Sequence, residues 1–184
     1  MDSKLTSEFS ARFPALAEEL GPANLETLLA ATTSVELPAN RKVIRDRMPV
    51  DSLYLILEGK VAISVETNKR AIKLAESGPG EWLGEVSVLS GELLASSTVT
   101  TETPVRFLRL RHEKFDELIW KNKEVSEVLL RQLVLMLADR LRKSGATLKA
   151  PPQVITLTAS DPEPTPSNAR GRNWLESFFG APGK

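Results

Sequence analysis

The sequence predicts an α+β fold in which a set of short β-strands lies between helical segments. Three observations predict it. Apolar residues recur at helical spacing up to about residue 30, alternate with polar residues from about 35 to 110, and return to helical spacing after His112. Many short strands at regular spacing are typical of a sandwich or a barrel. We therefore expect an all-β unit flanked by helices.

The first segment, 1–33, is predicted to form two short helices. The dipeptide Gly21-Pro22, a combination that interrupts helices, separates two apolar groups at near-helical spacing. The first group is Phe9, Phe13, Leu16 and Leu20, and the second is Leu25, Leu28 and Leu29.

The strand signals lie between Val35 and Leu110. An apolar run covers 53–57, apolar and polar residues alternate over 61–65, and Gly78-Pro79-Gly80 supplies a turn. The stretch 97–101 is rich in β-branched residues, and further apolar positions fall within 105–110. These runs are the expected strands of the β-unit.

A long helix is predicted for about 123–144, and apolar residues occupy most of its circumference between Val125 and Leu141. One face is expected to pack on the domain and another on the same helix of a second copy, which predicts a homodimer. The alternative, in which the helix packs only against its own barrel and tail, stays open.

Composition excludes several classes of function. The 184 residues carry 24 basic and 24 acidic side chains, so no net basic field steers the chain to nucleic acid or anionic lipid. The absence of cysteine excludes disulfides and thiolate metal sites, and no apolar run approaches the roughly 18 residues of a membrane span. The start lacks a secretory signal pattern, so a cytoplasmic protein is expected.

No enzyme is predicted. The only histidine, His112, lies in the polar run 111–114 and is expected to be a solvated residue at a helix start. No pairing of a nucleophile with a base stands out, and a metal site is not expected either.

The run Gly84 to Leu89, with the Gly78 to Leu83 stretch before it and Ser96 to Val99 after it, resembles the phosphate-binding cassette of cyclic-nucleotide-binding domains of the catabolite-activator and protein kinase A regulatory type. The Tyr54 to Ile63 stretch is similar to the family's paired strands around a glycine, here Gly59. The resemblance covers about Phe9 to Ser144. It implies a jelly-roll-like β-roll over 34–145, with a cassette helix and a long C-terminal helix.

The resemblance also implies a ligand site for cAMP or cGMP. Backbone N–H groups at the start of a short helix suit a cyclic phosphate. In the family the glutamate at the Glu85 position accepts the ribose 2'-hydroxyl; the alternative is a helix N-terminal acid that stabilises the turn. The residues implied for the site are Gly84, Glu85, Val86, Ser87, Ala95, Ser96 and Ser97.

The cassette departs from the family pattern at its arginine. That residue should fall at Leu94 or Ala95, and no arginine lies between Arg70 and Arg106. A bidentate arginine–phosphate pair has no neutral substitute of similar strength, so ordinary nucleotide affinity should be severely weakened. Two family-type glycines are also replaced, by Asn40 and Arg47, which predicts distorted turns.

The end of the chain is predicted to be a Pro-rich flexible linker, 146–172, and a short amphipathic motif, 173–184. Gly145 is expected to cap the long helix, and Ser144 near it falls where gene-activator members contact a base. In a helix, one face of the motif would carry Trp174, Leu175, Phe178 and Phe179, for docking on a partner, packing on its own domain or contacting lipid.

Three functional hypotheses follow. The first is a stand-alone, bacterial-like regulatory module with a degenerate pocket that signals through a partner protein; without a helix-turn-helix, no direct DNA binding is expected. The second is a true cAMP or cGMP receptor in which Lys60, Lys73 or Arg70 replaces the missing arginine. The third is attachment to a membrane surface through the tail, which is too short for strong anchoring alone.

Overall fold

A computed structural model describes residues 3–67, 70–86, 94–147 and 153–155. Two helices precede eight strands, two further helices follow them, and a last short strand ends the described chain. The elements are α1 (Ser3–Arg12), α2 (Pro14–Ala30), β1 (Thr32–Leu37), β2 (Lys42–Ile44), β3 (Ser52–Glu58), β4 (Val61–Thr67), β5 (Arg70–Ser77), β6 (Trp82–Leu83), β7 (Thr98–Thr101), β8 (Val105–Arg111), α3 (His112–Lys121), α4 (Lys123–Thr147) and β9 (Gln153–Ile155). The predicted α+β fold is confirmed.

The strands pair in two antiparallel sheets, in the orders β1-β8-β3-β6 and β2-β7-β4-β5-β9. Successive side chains of a strand point to opposite faces. On β3, Leu53, Leu55 and Leu57 therefore pack against the helices. Ile56 lies on the opposite face and packs between the two sheets, in a second core cluster that includes Phe107. The 53–57 run is apolar throughout because both faces of this strand are covered.

The helices before the strands are interrupted at Gly21, as the sequence predicts, and also at Phe13. The first predicted helix ends early, because Phe13 leaves the helical conformation and Pro14 starts a new helix, where its missing N–H costs nothing. Gly21, with φ of 67°, then bends α2. Apolar side chains on both sides of these breaks pack in one core cluster with the β1-β8-β3-β6 sheet.

Helix α4 shows the two apolar faces that its sequence predicts. Val125, Leu129 and Leu133 are fully buried in the helical core, whereas Val134 is 63% and Leu141 is 74% exposed. The helix continues to Thr147, so the predicted cap at Gly145 is wrong. None of the helices in the described ranges is long and apolar enough to cross a membrane.

A three-residue strand, β9, lies within the segment predicted as a linker. It pairs antiparallel with β5, opposite Ala71, Ile72 and Lys73. The tail motif with Trp174, Leu175, Phe178 and Phe179 lies outside the described residues.

Candidate functional site

The site is built around the turn that follows β6. Gly84 has a φ of 83°, a left-handed conformation that glycine adopts without strain. A Cβ atom at this position would lie 2.5 Å from the backbone oxygen of Ser52. The turn therefore packs directly against the start of β3, and it places Glu85 and Val86 at the beginning of a helical segment.

Glu85 is buried, with 5% of its surface exposed, and its carboxylate is held by an arginine from the long helix. Nη1 of Arg140 donates to Oε1 of Glu85, and Nη2 donates to the backbone oxygen of Trp82. Burial raises the pKa of Glu85 above its ordinary value, and the charge of Arg140 opposes that rise. The carboxylate implied to accept a ribose hydroxyl is therefore engaged by a cation of the same chain.

A small cavity of about 50 Å³ lies beside this ion pair. Pockets that hold small ligands usually measure roughly 300 Å³ or more. Ser87, also implied for the site, lies outside the described residues. The predicted site residues that line the cavity are Gly84, Glu85, Val86, Ala95, Ser96 and Ser97, and Arg140 lines it with them.

The two candidate positions for the missing arginine have different surroundings. Ala95 is buried and lines the cavity, and its backbone bonds to Arg47 and Met48 fix it there. Leu94 is 50% exposed and is not part of the lining. Of the two positions, 95 is therefore the one at which an arginine would lie in the cavity lining.

The lysines considered as substitutes do not reach the cavity. Lys73 bonds Glu76 at 2.5 Å and also Glu102, and neither Lys73 nor Lys60 is among the lining residues. The side chain of Arg70 lies outside the described residues. Among the described residues around the cavity, Arg140 supplies the positive charge, and sequence reasoning missed it because it lies 55 positions from Glu85.

The two replaced glycines keep a glycine-type backbone. Asn40 has a φ of 62° and Arg47 a φ of 59°. Side chains other than Gly, Asn and Asp adopt this left-handed region at a cost of about 1 kcal/mol or more. The turn at Arg47 therefore stores strain beside Ala95, whose backbone oxygen accepts a bond from the Arg47 N–H at 2.9 Å.

The expectation that His112 is solvated is wrong. The residue is 7% exposed, and its backbone N–H donates to the backbone oxygen of Asp51, the residue before β3. Nε2 lies 3.5 Å from Oδ2 of Asp116, and Nδ1 has no hydrogen-bond partner among the described residues. In the described part of the chain, no group of three metal-ligating side chains comes together.

Comparison with known proteins gives one matching family profile, described as the cyclic nucleotide-binding domain, over residues 34–122. The chain is 31% identical over 113 residues to a cyclic nucleotide-gated potassium channel of Mesorhizobium japonicum, covering 61% of this chain and 30% of the channel. It is 32% identical over 128 residues to a CRP-like cAMP-activated global transcriptional regulator of Mycobacterium tuberculosis, covering 69% and 55%. A glutaminase 2 of Bradyrhizobium diazoefficiens is 29% identical over 132 residues, covering 72% and 20%. The chain thus spans between about a fifth and about half of the length of these relatives.

Solved structures agree. The N-terminal domain of a transcriptional regulator from Streptomyces coelicolor is 30% identical, with a TM-score of 0.59, over 74% of this chain and 94% of that one. A cyclic nucleotide-binding domain from Methylobacillus flagellatus, at 22% identity, matches with a TM-score of 0.70 over 78% of this chain and 84% of its own. At 22% identity, the likeness to the Methylobacillus domain shows a similar fold and no more.

Proposed function

Because the chain belongs to the cyclic nucleotide-binding domain family, we propose that it is a non-enzymatic regulatory module whose nucleotide pocket is degenerate. The observation that carries the proposal is the Glu85–Arg140 ion pair. A nucleotide that used Glu85 for its ribose would have to separate a buried ion pair, enlarge a 50 Å³ cavity, and bind its phosphate without an arginine at position 95. We expect no saturable binding of cAMP or cGMP at micromolar concentration.

Isothermal titration calorimetry of the full chain with cAMP and with cGMP tests this expectation. A matched pair of variants sharpens it, because Ala95→Arg places a guanidinium in the cavity lining whereas Leu94→Arg places one on an exposed position. Charge-assisted hydrogen bonds contribute about 1.5–3 kcal/mol, so Ala95→Arg should strengthen binding by about tenfold or more. Leu94→Arg should leave it unchanged. Equal gains in both variants would mean that added charge, and not the cassette position, attracts the nucleotide.

A second candidate function rests on Arg140 itself. Its guanidinium lines the cavity, so it could pair with a cyclic phosphate while Glu85 turns to the ribose, which would make the chain a true cAMP or cGMP receptor. Micromolar binding by the unaltered chain, lost in both Arg140→Gln and Glu85→Ala, would establish this candidate and overturn the degenerate pocket.

A homodimer through α4 accompanies the proposed function. Val134 and Leu141 are largely exposed on the side of α4 away from its fully buried residues, and Leu137 lies between them at helical spacing. Sedimentation velocity should show a dimer that Val134→Glu converts to monomer, whereas Glu127→Gln, an exposed change on the same helix, should not. A monomeric unaltered chain would refute this arrangement.

Output through a partner protein is also part of the proposal, with the tail as the docking segment. As an amphipathic helix, the aromatic motif of 173–184 would suit docking into an apolar groove of the partner. Deleting residues after Ala169 should abolish capture of the partner and leave the thermal unfolding midpoint unchanged. Retained capture would remove the tail from the interface.

A further inference from the structure

A second and larger cavity lies on the other side of Arg140. It is a cleft of about 370 Å³ between the α1–α2 junction, the turn before β6 and helix α4. We call it the helical cleft. Its volume falls within the range of small-molecule sites. Arg140 is shared, since its side chain lines both the helical cleft and the small cavity.

The apolar part of the helical cleft contains an aromatic pair. Phe13 and Trp82 meet edge to face, with ring centroids 6.2 Å apart and an interplanar angle of 89°. Leu16 and Met136 extend this surface. Such a lining suits the flat apolar body of a small organic molecule.

The polar part of the helical cleft favours an anion. Three cationic side chains, Arg12, Arg140 and Lys143, face two carboxylates, Glu81 and Asp139. Asp139 is neutralised locally, because Lys143 lies 2.7 Å from it. Arg12 is exposed and has no ion-pair partner among the described residues. The lining thus carries a formal excess of one positive charge, and the carboxylate paired with Arg140, Glu85, lies outside the helical cleft.

Arg140 has donors to spare for such an anion. A guanidinium has five N–H groups, and the bonds to Glu85 and to the Trp82 oxygen use two of them. An anionic group in the helical cleft would compete with Glu85 for the same guanidinium. Binding there would loosen the ion pair that fills the nucleotide pocket, so the two sites would be energetically coupled.

We propose that the helical cleft is a second ligand site, which binds a small amphipathic organic anion with a planar apolar body, and that Arg140 couples it to the nucleotide pocket. The probe is 8-anilinonaphthalene-1-sulfonate, which has this chemistry. Binding is followed by energy transfer from Trp82 in the full chain carrying Trp120→Phe and Trp174→Phe, which leaves Trp82 as the only tryptophan. We expect saturable binding at one site.

Two matched pairs of variants locate the probe. Ala15 and Ala23 are both exposed on α2, but only Ala15 lines the helical cleft. Ala15→Phe should weaken binding about tenfold by filling the site, and Ala23→Phe should not change it. Arg12→Gln should weaken binding by about threefold, as expected for an exposed charge, whereas Arg142→Gln outside the lining should have no effect. Undiminished binding in Ala15→Phe would place the probe elsewhere and overturn the site.

The coupling has its own test. Glu85 lines the small cavity and not the helical cleft, so Glu85→Gln does not alter the probe's contacts but releases Arg140 to bind it. Affinity for the probe should rise by about fivefold, within the usual range of coupling between sites, and the rise should vanish in the Glu85→Gln, Arg140→Gln double variant. An unchanged affinity in Glu85→Gln would overturn the coupling. Cyclic nucleotide is absent throughout, so the result is independent of whether the nucleotide pocket binds its ligand.

Discussion

Replacing Arg140 by glutamine should destabilise the protein in a pH-dependent manner. The substitution leaves the Glu85 carboxylate 5% exposed and without its cation. Removing one partner of a fully buried ion pair costs about 3–5 kcal/mol. The Arg140 side chain is 30% exposed, so water can replace part of the lost contact and the cost should be lower.

Protonation of Glu85 limits that cost. At pH 7, neutralising a carboxyl whose unfolded-state pKa is 4.5 costs about 3.4 kcal/mol, because each pH unit is worth about 1.4 kcal/mol. At pH 5 the same neutralisation costs only about 0.7 kcal/mol. We therefore expect Arg140→Gln to lose about 2–3 kcal/mol of unfolding free energy at pH 7 and about 1 kcal/mol at pH 5.

The sign of this dependence follows from the direction of the pKa shift. The pKa of buried Glu85 is raised, and losing Arg140 raises it further, so the folded state binds more protons than the unfolded state above pH 4.5. The stability of the variant should thus fall as the pH rises from 4.5 toward the pKa of the folded state.

Urea unfolding monitored by circular dichroism at pH 5 and pH 7 measures both quantities. Arg142→Gln is the control, because Arg142 is exposed on the same helix and should change stability by less than about 0.5 kcal/mol. In Glu85→Gln, Arg140 is free to turn toward solvent, so we expect a smaller loss. The reasoning is refuted if Arg140→Gln matches Arg142→Gln at pH 7, or if its cost is the same at both pH values.

Three further outcomes are expected. Gly84→Ala should cost about 2 kcal/mol or more in urea unfolding, because the new Cβ would meet the Ser52 oxygen and the left-handed φ would be strained. Arg47→Gly should raise stability by about 1 kcal/mol, since glycine adopts the φ of 59° without strain; an unchanged or lower stability would contradict this. Burial alone would raise the pKa of Asp51, but hydrogen bonds from Ser52 and Arg109 hold that pKa below 3.8. Ionised Asp51 therefore stabilises the fold above pH 3.8, and this stabilisation is lost as the pH falls through the lower pKa of the folded state. In Arg109→Gln, the free energy of unfolding should fall less steeply with decreasing pH below 3.8.

The spacing of apolar residues predicts most of the fold, because that spacing reflects which faces of each strand or helix are buried. The alternating strands and the 53–57 run correspond to β-strands covered on one or both faces, and the apolar stripe of α4 corresponds to its buried side. The break at Phe13 was missed because apolar spacing continues through it. The burial of His112 was missed because neighbouring polar residues, and not its own contacts, suggested exposure.

The pairing of Glu85 with Arg140 could in part have been predicted. Val125, Leu129, Leu133, Met136 and Arg140 recur at four-, four-, three- and four-residue intervals, which places the arginine on the buried face of α4. A cationic side chain on the buried face of a helix is costly without an anionic partner, so this position predicts a buried anion. Its identity depends on how the helix crosses the cassette, and that is set by tertiary packing that periodicity does not describe.

The charge of buried Glu85 links positions 95 and 140. A buried carboxylate at Glu85 requires a cation nearby, and with alanine in the cassette the long helix supplies it. Restoring the cassette arginine alone leaves Glu85 bound to Arg140, so the fuller gain in cAMP affinity should come from the Ala95→Arg, Arg140→Gln double variant. That variant should also recover part of the stability lost in Arg140→Gln, because the new guanidinium lies in the same cavity. Calorimetry and urea unfolding measure the two effects on one protein, and a double variant that binds no more tightly than Ala95→Arg would show that Arg140 does not compete for the pocket.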